Sequence, residues 1–205
     1  MNKSFDLSRR AFLSALVVTT AESVAVGLAG CGAEAPVTNG FKAIMSANEM
    51  AASAACKAYC SAQENYRRTD YNHDRILEYA QTLSGTNSLL ETKAGSGDVA
   101  LIDRAFAHAE GGLGVAVPKM GYYFKVLTRQ GANAPGGAKD YIQNGHMTLG
   151  YALVAYPSQY GETGRNTFIV CQDGLIYEKD LGAATQAIAE KMSEYNPDST
   201  WIPAE

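Results

Sequence analysis

Histidine and paired cysteines are scarce in this chain, and each of these two shortages argues against a class of function. The 205 residues include 3 histidines, with no recognisable spacing between them, and 1 tryptophan. The 4 cysteines include one C-x3-C pair without a second pair, so a closed structural zinc site is not indicated. A formal net charge of −4 argues against a nucleic-acid partner. No catalytic motif stands out, so we do not expect an enzyme.

Long uncharged apolar runs are also missing. Beyond the N-terminal region, no run is long enough and free enough of charge to suggest a membrane-spanning segment. Apolar residues make up 46% of the chain and charged residues 19%. At this length, such a composition predicts a single folded domain.

The first 30 residues have the layout of an export signal, with a basic start, a weakly apolar stretch and small residues before a cysteine. The run SRRAFL, which contains Arg9 and Arg10, resembles the twin-arginine export motif. The run LAGC resembles the lipobox of bacterial lipoproteins, which implies that Cys31 is the lipidated first residue of the mature protein. We therefore expect residues 1–30 to be a signal peptide. We expect the protein in the cell envelope, held to a membrane by lipid and facing the periplasm or exterior. The alternatives are a transmembrane helix or an N-terminal segment that is not cleaved.

A short tether over residues 31–44 is expected to precede one domain over residues 45–205. The tether begins with small and polar residues, GAEAPVTNG. Ser46 and Glu49 have the spacing of a capping box, which predicts a helix over residues 47–68. Five residues at alternating steps of three and four give this helix one apolar stripe, which we interpret as a packing face: Ala52, Ala55, Tyr59, Ala62 and Tyr66.

Three further cysteines are candidates for a disulfide. Cys56 and Cys60 share one face of the predicted helix, whereas Cys171 lies in a predicted strand. In an oxidising envelope, one of the two helix cysteines can pair with Cys171 and leave one thiol over. The alternative is that all three are reduced and buried.

The acidic segment after the helix is a candidate calcium site, and calcium is the only cofactor that the sequence suggests. Two residues depart from a calcium loop, because Arg75 and Gln81 stand where such loops place a glycine and a bidentate glutamate. The alternative is a polar helix end whose side chains cap and turn the chain. Four oxygen-bearing residues occupy the matching positions: Asp70, Asn72, Asp74 and Glu78.

The glycine-rich segment 131–146 is long enough to predict a functional loop without regular structure. A small-ligand sensor would bind its ligand with this loop alone. An envelope hydrolase would instead need His146 and Asp140 to meet a carboxylate such as Glu78 in one cleft. The candidate binding residues of the loop are Asp140, Tyr141, Asn144 and His146.

The strongest strand signals lie in the second half of the chain, at residues 121–127, 150–156, 167–171 and 175–180. Asp173-Gly174 predicts a hairpin between the last two. A helix follows over residues 183–195, with Ile188 and Met192 on its inner face, and Trp201 is expected to pack the tail onto the domain. Together these signals predict an α+β fold with a long N-terminal helix on an antiparallel sheet of about four strands and a C-terminal helix.

From Gly121 onward, the runs GYYFKVLTRQGANAPGGAKDY, NGHMTLGYALVAYPSQYG and TFIVCQDGLIYEKDLG resemble a family of uncharacterised bacterial envelope proteins, known only as a domain of unknown function. The run AACKAYCSAQENYRRTDYNHDRILEYA resembles it too, so the resemblance covers roughly residues 45–205. Arg75 and Cys171 depart from the family pattern. Calcium binding and a disulfide are therefore not properties that the resemblance implies.

The order of helix, acidic loop and strands is more distantly similar to the globular heads of type IV pilin-like proteins and pseudopilins. That resemblance implies a helix laid across an antiparallel sheet, and no catalytic residues. We therefore expect a lipid-anchored envelope protein that acts as a binding or assembly module with an envelope protein as partner.

Overall fold

A computed structural model of the chain describes residues 36–92 and 100–204. The predicted signal peptide, the export arginines Arg9 and Arg10, and the lipidation residue Cys31 lie outside the described residues. Within those two ranges, no helix combines the length and the apolar character that crossing a membrane requires.

The long helix α1 spans Pro36–Arg67 and begins earlier than the sequence predicted. The predicted capping box is wrong, because Ser46 and Glu49 lie inside the helix. The Glu49 carboxylate instead accepts hydrogen bonds from the backbone N–H groups of Arg165 (2.8 Å) and Asn166 (3.1 Å). It thereby fixes the helix to the start of a strand. The predicted apolar stripe is confirmed, because all five of its residues are buried.

The helices and strands after α1 follow the predicted order. Two short helices are α2 (Arg104–His108) and α3 (Thr185–Lys191), and a 3-10 turn at Gly182–Ala184 precedes α3. Within the described residues, the strands are β1 (Tyr122–Leu127), β2 (Arg129–Gln130), β3 (Lys139–Asp140), β4 (Ile142–Gln143), β5 (His146–Met147), β6 (Ala152–Pro157), β7 (Asn166–Cys171), β8 (Ile176–Asp180) and β9 (Ile202–Pro203).

The main sheet has five antiparallel strands in the order β1-β6-β7-β8-β9. The interior strand β6, between β1 and β7, is buried along its whole length and contacts both α1 and α3. The β7–β8 hairpin turns at Asp173-Gly174, where the Asp173 carboxylate accepts from the Leu175 backbone N–H (3.0 Å). Gly174 adopts a left-handed backbone (φ 75°) that this turn requires. The predicted α+β fold is confirmed.

The C-terminal region differs from the sequence prediction in its helix and agrees in its tail. Ile188 is exposed rather than inward-facing, because the shorter α3 directs Thr185 and Ala189 to the core. Trp201 is buried as predicted, and β9 beside it pairs with β8.

The glycine-rich segment has more regular structure than the sequence predicted. Strands β2 and β3 form one small antiparallel pair, and β4 and β5 form another. The turn between β4 and β5 is Asn144-Gly145, where both residues have left-handed backbones (φ 53° and 86°). That hairpin projects His146 from β5 toward the acidic segment.

A partly buried carboxylate, Glu110, helps to cover the free edge of β1. It accepts a hydrogen bond from the Leu83 backbone N–H (2.8 Å), and it also interacts with the backbone of Ser84 and Val126. Beside it, the Phe124 backbone N–H donates to the Ala109 carbonyl (3.2 Å). These contacts use backbone groups of β1 that an open edge would leave unpaired.

Burial raises the pKa of Glu110 above the ordinary value of 4.5, although its hydrogen bonds act in the opposite direction. Because the folded state then binds the proton more tightly than the unfolded state, stability falls as pH rises from about 4.5 through the raised pKa. The glutamine side chain of the Glu110→Gln variant cannot ionise, so this variant should not lose stability as pH rises through that range. Urea unfolding of both forms between pH 4 and 7 should show the variant gaining stability relative to the wild type as pH rises. A flat or opposite trend would contradict the assignment.

Candidate functional site

The acidic segment forms a tight turn built on the side chain of Asp70. Its carboxylate accepts from the backbone N–H groups of Asp74 (3.2 Å) and Arg75 (2.9 Å). Asp74 in turn accepts from the Ile76 N–H through Oδ1 (2.7 Å). His73 and Arg75 take left-handed backbones (φ 59° and 71°) to close the turn. Asp70 therefore caps and closes this turn, which is the role that the sequence analysis gave as the alternative to calcium binding.

Asn72 brings two carboxylates of the segment together. Its side-chain amide donates to Asp74 Oδ2 (2.8 Å) and to Glu78 Oε1 (3.0 Å). Glu78 is the less accessible of the two, with 12% of its side chain exposed against 30% for Asp74. Two negative charges are thus held side by side at the surface, one of them largely shielded from water.

An imidazole from a distant part of the chain completes the group. His146 Nδ1 lies 3.2 Å from Glu78 Oε2 and 3.5 Å from Asp74 Oδ2. One ligand atom from each of the three residues can be chosen so that all lie within 4.8 Å of one another. We call Asp74, Glu78 and His146 the carboxylate–histidine cluster.

Backbone contacts keep the two sides of the cluster together. The Tyr79 N–H donates to the Met147 carbonyl (2.8 Å), and this pair forms an isolated antiparallel bridge. The Gln81 side-chain amide donates to the Gly145 carbonyl (2.7 Å). Because these bonds lie next to Glu78 and His146 in sequence, they fix the spacing between the carboxylate and the imidazole.

A fully buried side chain of α1, Gln63, holds the segment after the acidic turn. Its amide donates to the Ala80 carbonyl (2.8 Å) and to the Tyr59 hydroxyl oxygen (3.0 Å), and its Oε1 accepts from the Ala80 N–H (2.9 Å). The side chain thus satisfies both backbone groups of Ala80, as a strand partner would. Glu78 is two residues from that clamp, so α1 positions the cluster indirectly.

A cavity of about 350 Å³ opens beside the cluster, and we call it the cluster pocket. Glu78 and His146 line one side of it. The pocket is also lined by Tyr66, Thr82, Thr86 and Asn87.

The four candidate binding residues of the glycine-rich segment do not form one site. Tyr141 is fully buried, and its hydroxyl donates to Gln130 Oε1 (2.9 Å). Asp140 accepts from the Ile142 N–H (2.9 Å) and closes a local turn. Asn144 is the turn residue described above. Of the four, His146 alone belongs to the cluster, and Asp140 is not one of its three members.

The three cysteines that were disulfide candidates, Cys56, Cys60 and Cys171, are free thiols in the structure. The Cys60 thiol lies 3.8 Å from the Cys171 carbonyl oxygen, so the two residues are neighbours. Burial raises the pKa of Cys60 to about 11 and that of Cys171 to about 12. The thiols are therefore protonated at neutral pH, which makes them poor nucleophiles and poor metal ligands.

A family comparison places residues 42–203 in a family described as proteins of unknown function, DUF2950. The chain belongs to the DUF2950 family. The match covers α1 from Lys42 onward, the acidic segment, the cluster and the main sheet. No curated protein and no solved structure matches the chain significantly.

In this DUF2950 protein, the carboxylate–histidine cluster offers the donor set of a divalent cation site. One imidazole nitrogen and two carboxylates suit Zn²⁺ or Mn²⁺ better than calcium, which takes six to eight oxygen ligands. The hydrolase hypothesis joined His146 to Glu78 but added Asp140 instead of Asp74, and the calcium hypothesis used Glu78 without His146. Glu78 and His146 are 68 positions apart, and no local spacing signals that they meet.

Proposed function

We propose that this protein is an exported, lipid-anchored envelope protein whose domain binds a divalent transition-metal ion. The observation that carries the binding role is the approach of Asp74, Glu78 and His146 to within 4.8 Å of one another. Two carboxylates and one neutral imidazole carry two negative charges, which a divalent cation offsets. Three protein ligands are also the number that leaves a fourth position of a tetrahedral ion open.

The calcium hypothesis drew its ligands from the acidic segment alone. Both oxygens of Asp70 accept backbone hydrogen bonds, and a calcium ion there would compete with those bonds for the lone pairs. His146 has no place in a calcium loop. These contacts favour a metal of the zinc class at the cluster over calcium at the acidic turn.

A protonated His146 between the two carboxylates is the competing explanation for the cluster. In that case a proton, not a metal, joins Asp74, Glu78 and His146, and the group is a surface ion pair of small energetic value. The two explanations differ in pH dependence. Metal binding requires neutral imidazole and releases protons, so it strengthens as pH rises, whereas the ion pair weakens.

Thermal unfolding in the presence of metal ions tests the proposal. At a free Zn²⁺ concentration about ten times Kd, stabilisation is about 1.4 kcal/mol, which raises Tm by about 3 to 6 °C for a domain of this size. The shift should be larger at pH 7.5 than at pH 5.5 and should disappear with chelator. Millimolar Ca²⁺ should give a smaller shift. If Zn²⁺, Mn²⁺ and Ca²⁺ all leave Tm unchanged, the cluster is an ion pair.

Export and anchoring are supported by the sequence motifs at Arg9, Arg10 and Cys31. Each buried methylene of an acyl chain contributes about 0.8 kcal/mol, so two or more chains hold a protein to a membrane essentially permanently. Cys31→Ser should release the protein from the membrane fraction. Arg9→Lys with Arg10→Lys should leave the protein in the cytoplasm. Undiminished export of that double variant would contradict the twin-arginine route.

An assembly role is the second candidate, and exposed apolar side chains on α1 favour it. Phe41 and Ile44 are each 54% exposed and Met50 is 72% exposed. Phe41→Ser with Ile44→Ser should leave Tm within about 1 °C, because these side chains lie outside the core. The same variant should reduce chemical cross-linking to an envelope protein partner in cells. Unchanged cross-linking would count against a pilin-like assembly role for this face.

A further inference from the structure

Polar residues other than the proposed metal ligands also line the cluster pocket. They include Thr82, Thr86 and Asn87, whose backbone carbonyls at 82 and 87 accept hydrogen bonds but whose side chains make none to another described residue. Thr82 and Thr86 are exposed to solvent. Polar side chains that gather around a cavity without partners are available to a ligand. The pocket therefore combines two of the proposed metal ligands with polar side chains that have no protein partner among the described residues.

We propose that a small polyhydroxylated carboxylate binds in this pocket, coordinating the metal ion and donating or accepting hydrogen bonds at Thr82, Thr86 and Asn87. This inference rests on the proposed metal site. Glu78 and His146 line the pocket, so a cation held by the cluster would lie beside the cavity, and a ligand in the cavity could supply the coordination positions that protein does not fill. Oxygen donors of a carboxylate and an adjacent hydroxyl can fill them.

Charge requires the metal ion to bind before the carboxylate ligand. Without metal, the carboxylates of Asp74 and Glu78 repel a negatively charged ligand at the pocket wall. A divalent cation offsets both charges and adds a direct bond. Anion binding should therefore depend entirely on prior metal binding.

The size of the pocket limits the ligand. A volume of about 350 Å³ lies at the lower end of the range for small-molecule sites. Gluconate has a suitable size, a carboxylate with an α-hydroxyl to chelate the metal, and a hydroxylated chain to reach the threonines. Glycolate has the same chelating group without the chain, so it is a matched control probe.

The test uses the full chain purified in detergent and loaded with Co²⁺, whose visible absorption changes with coordination. Gluconate and glycolate should each alter that absorption, and gluconate should not bind the metal-free protein. Thr82→Val with Thr86→Val should weaken gluconate binding about fivefold or more, because two hydrogen-bonding hydroxyls are lost. Thr82→Ser with Thr86→Ser keeps both hydroxyls and should bind gluconate like the wild type. Glycolate affinity and Co²⁺ affinity should be the same in both double variants.

Two results would overturn the inference, one of them without affecting the proposed metal site. If Co²⁺ binds but gluconate leaves its absorption unchanged, or both double variants bind gluconate equally, the pocket does not take this ligand and the metal site stands. If Co²⁺ itself does not bind at the cluster, the proposed function and this inference fail together.

Discussion

His146→Ala should weaken Zn²⁺ binding by about 100-fold or more. Loss of a residue that only orients a metal ligand typically costs 10- to 100-fold in affinity, and loss of a direct ligand should cost at least as much. The imidazole is the one nitrogen donor of the cluster and comes from the β4–β5 hairpin, whereas both carboxylates come from the acidic segment. Competition with a fluorescent chelator measures the affinity.

Two control variants separate the cluster from the acidic turn. His73→Asn removes an exposed histidine of the same segment, and asparagine tolerates the left-handed backbone there (φ 59°). It should retain wild-type Zn²⁺ affinity. Asp70→Ala removes the residue that caps the turn and should reduce affinity less than His146→Ala does. The reverse order, with Asp70 dominant and His146 dispensable, would favour a calcium-loop type of site.

Gln63→Leu should lower the free energy of unfolding by about 2 to 5 kcal/mol. Leucine fills a similar volume but leaves the Ala80 N–H and carbonyl without partners in the core, and each such group costs about 1 to 3 kcal/mol. Urea unfolding measures the change. Asn65→Leu, at an exposed position on the same helix, is the matched control and should change stability by less than about 0.5 kcal/mol.

Gln63→Leu should also weaken Zn²⁺ binding, because Gln63 holds the segment that carries Glu78. If Gln63→Leu destabilises the fold and leaves Zn²⁺ affinity unchanged, the clamp serves packing alone. If it does neither, the hydrogen bonds assigned to Gln63 are wrong.

The central fold could be predicted because its signals are local. The apolar stripe from Ala52 to Tyr66 identifies the buried face of α1 through spacing alone, and Asp173-Gly174 identifies the hairpin through turn chemistry. The start of α1 was missed because PVTNG contains proline, asparagine and glycine, which have low helix propensity. A capping-box spacing at Ser46 then gave a plausible but wrong start.

The short strands and the cluster depend on contacts between distant segments. Two-residue strands such as β4 and β5 carry too little pattern to separate them from a loop. Glu78 meets His146 only because Tyr79 pairs with Met147 and Gln63 fixes Ala80. Sequence identified most of the polar residues involved, but it joined Glu78 to His146 only in the hydrolase hypothesis and never added Asp74, because the proximity of the three is a tertiary property.

Anomalous diffraction at the zinc edge, from crystals of the protein grown with equimolar Zn²⁺, would locate a bound ion directly. We expect one strong peak about 2.0 to 2.2 Å from a carboxylate oxygen of Asp74, one of Glu78 and a ring nitrogen of His146. An absent peak, or a peak confined to Asp70 and the acidic turn, would contradict a metal-binding role for the carboxylate–histidine cluster.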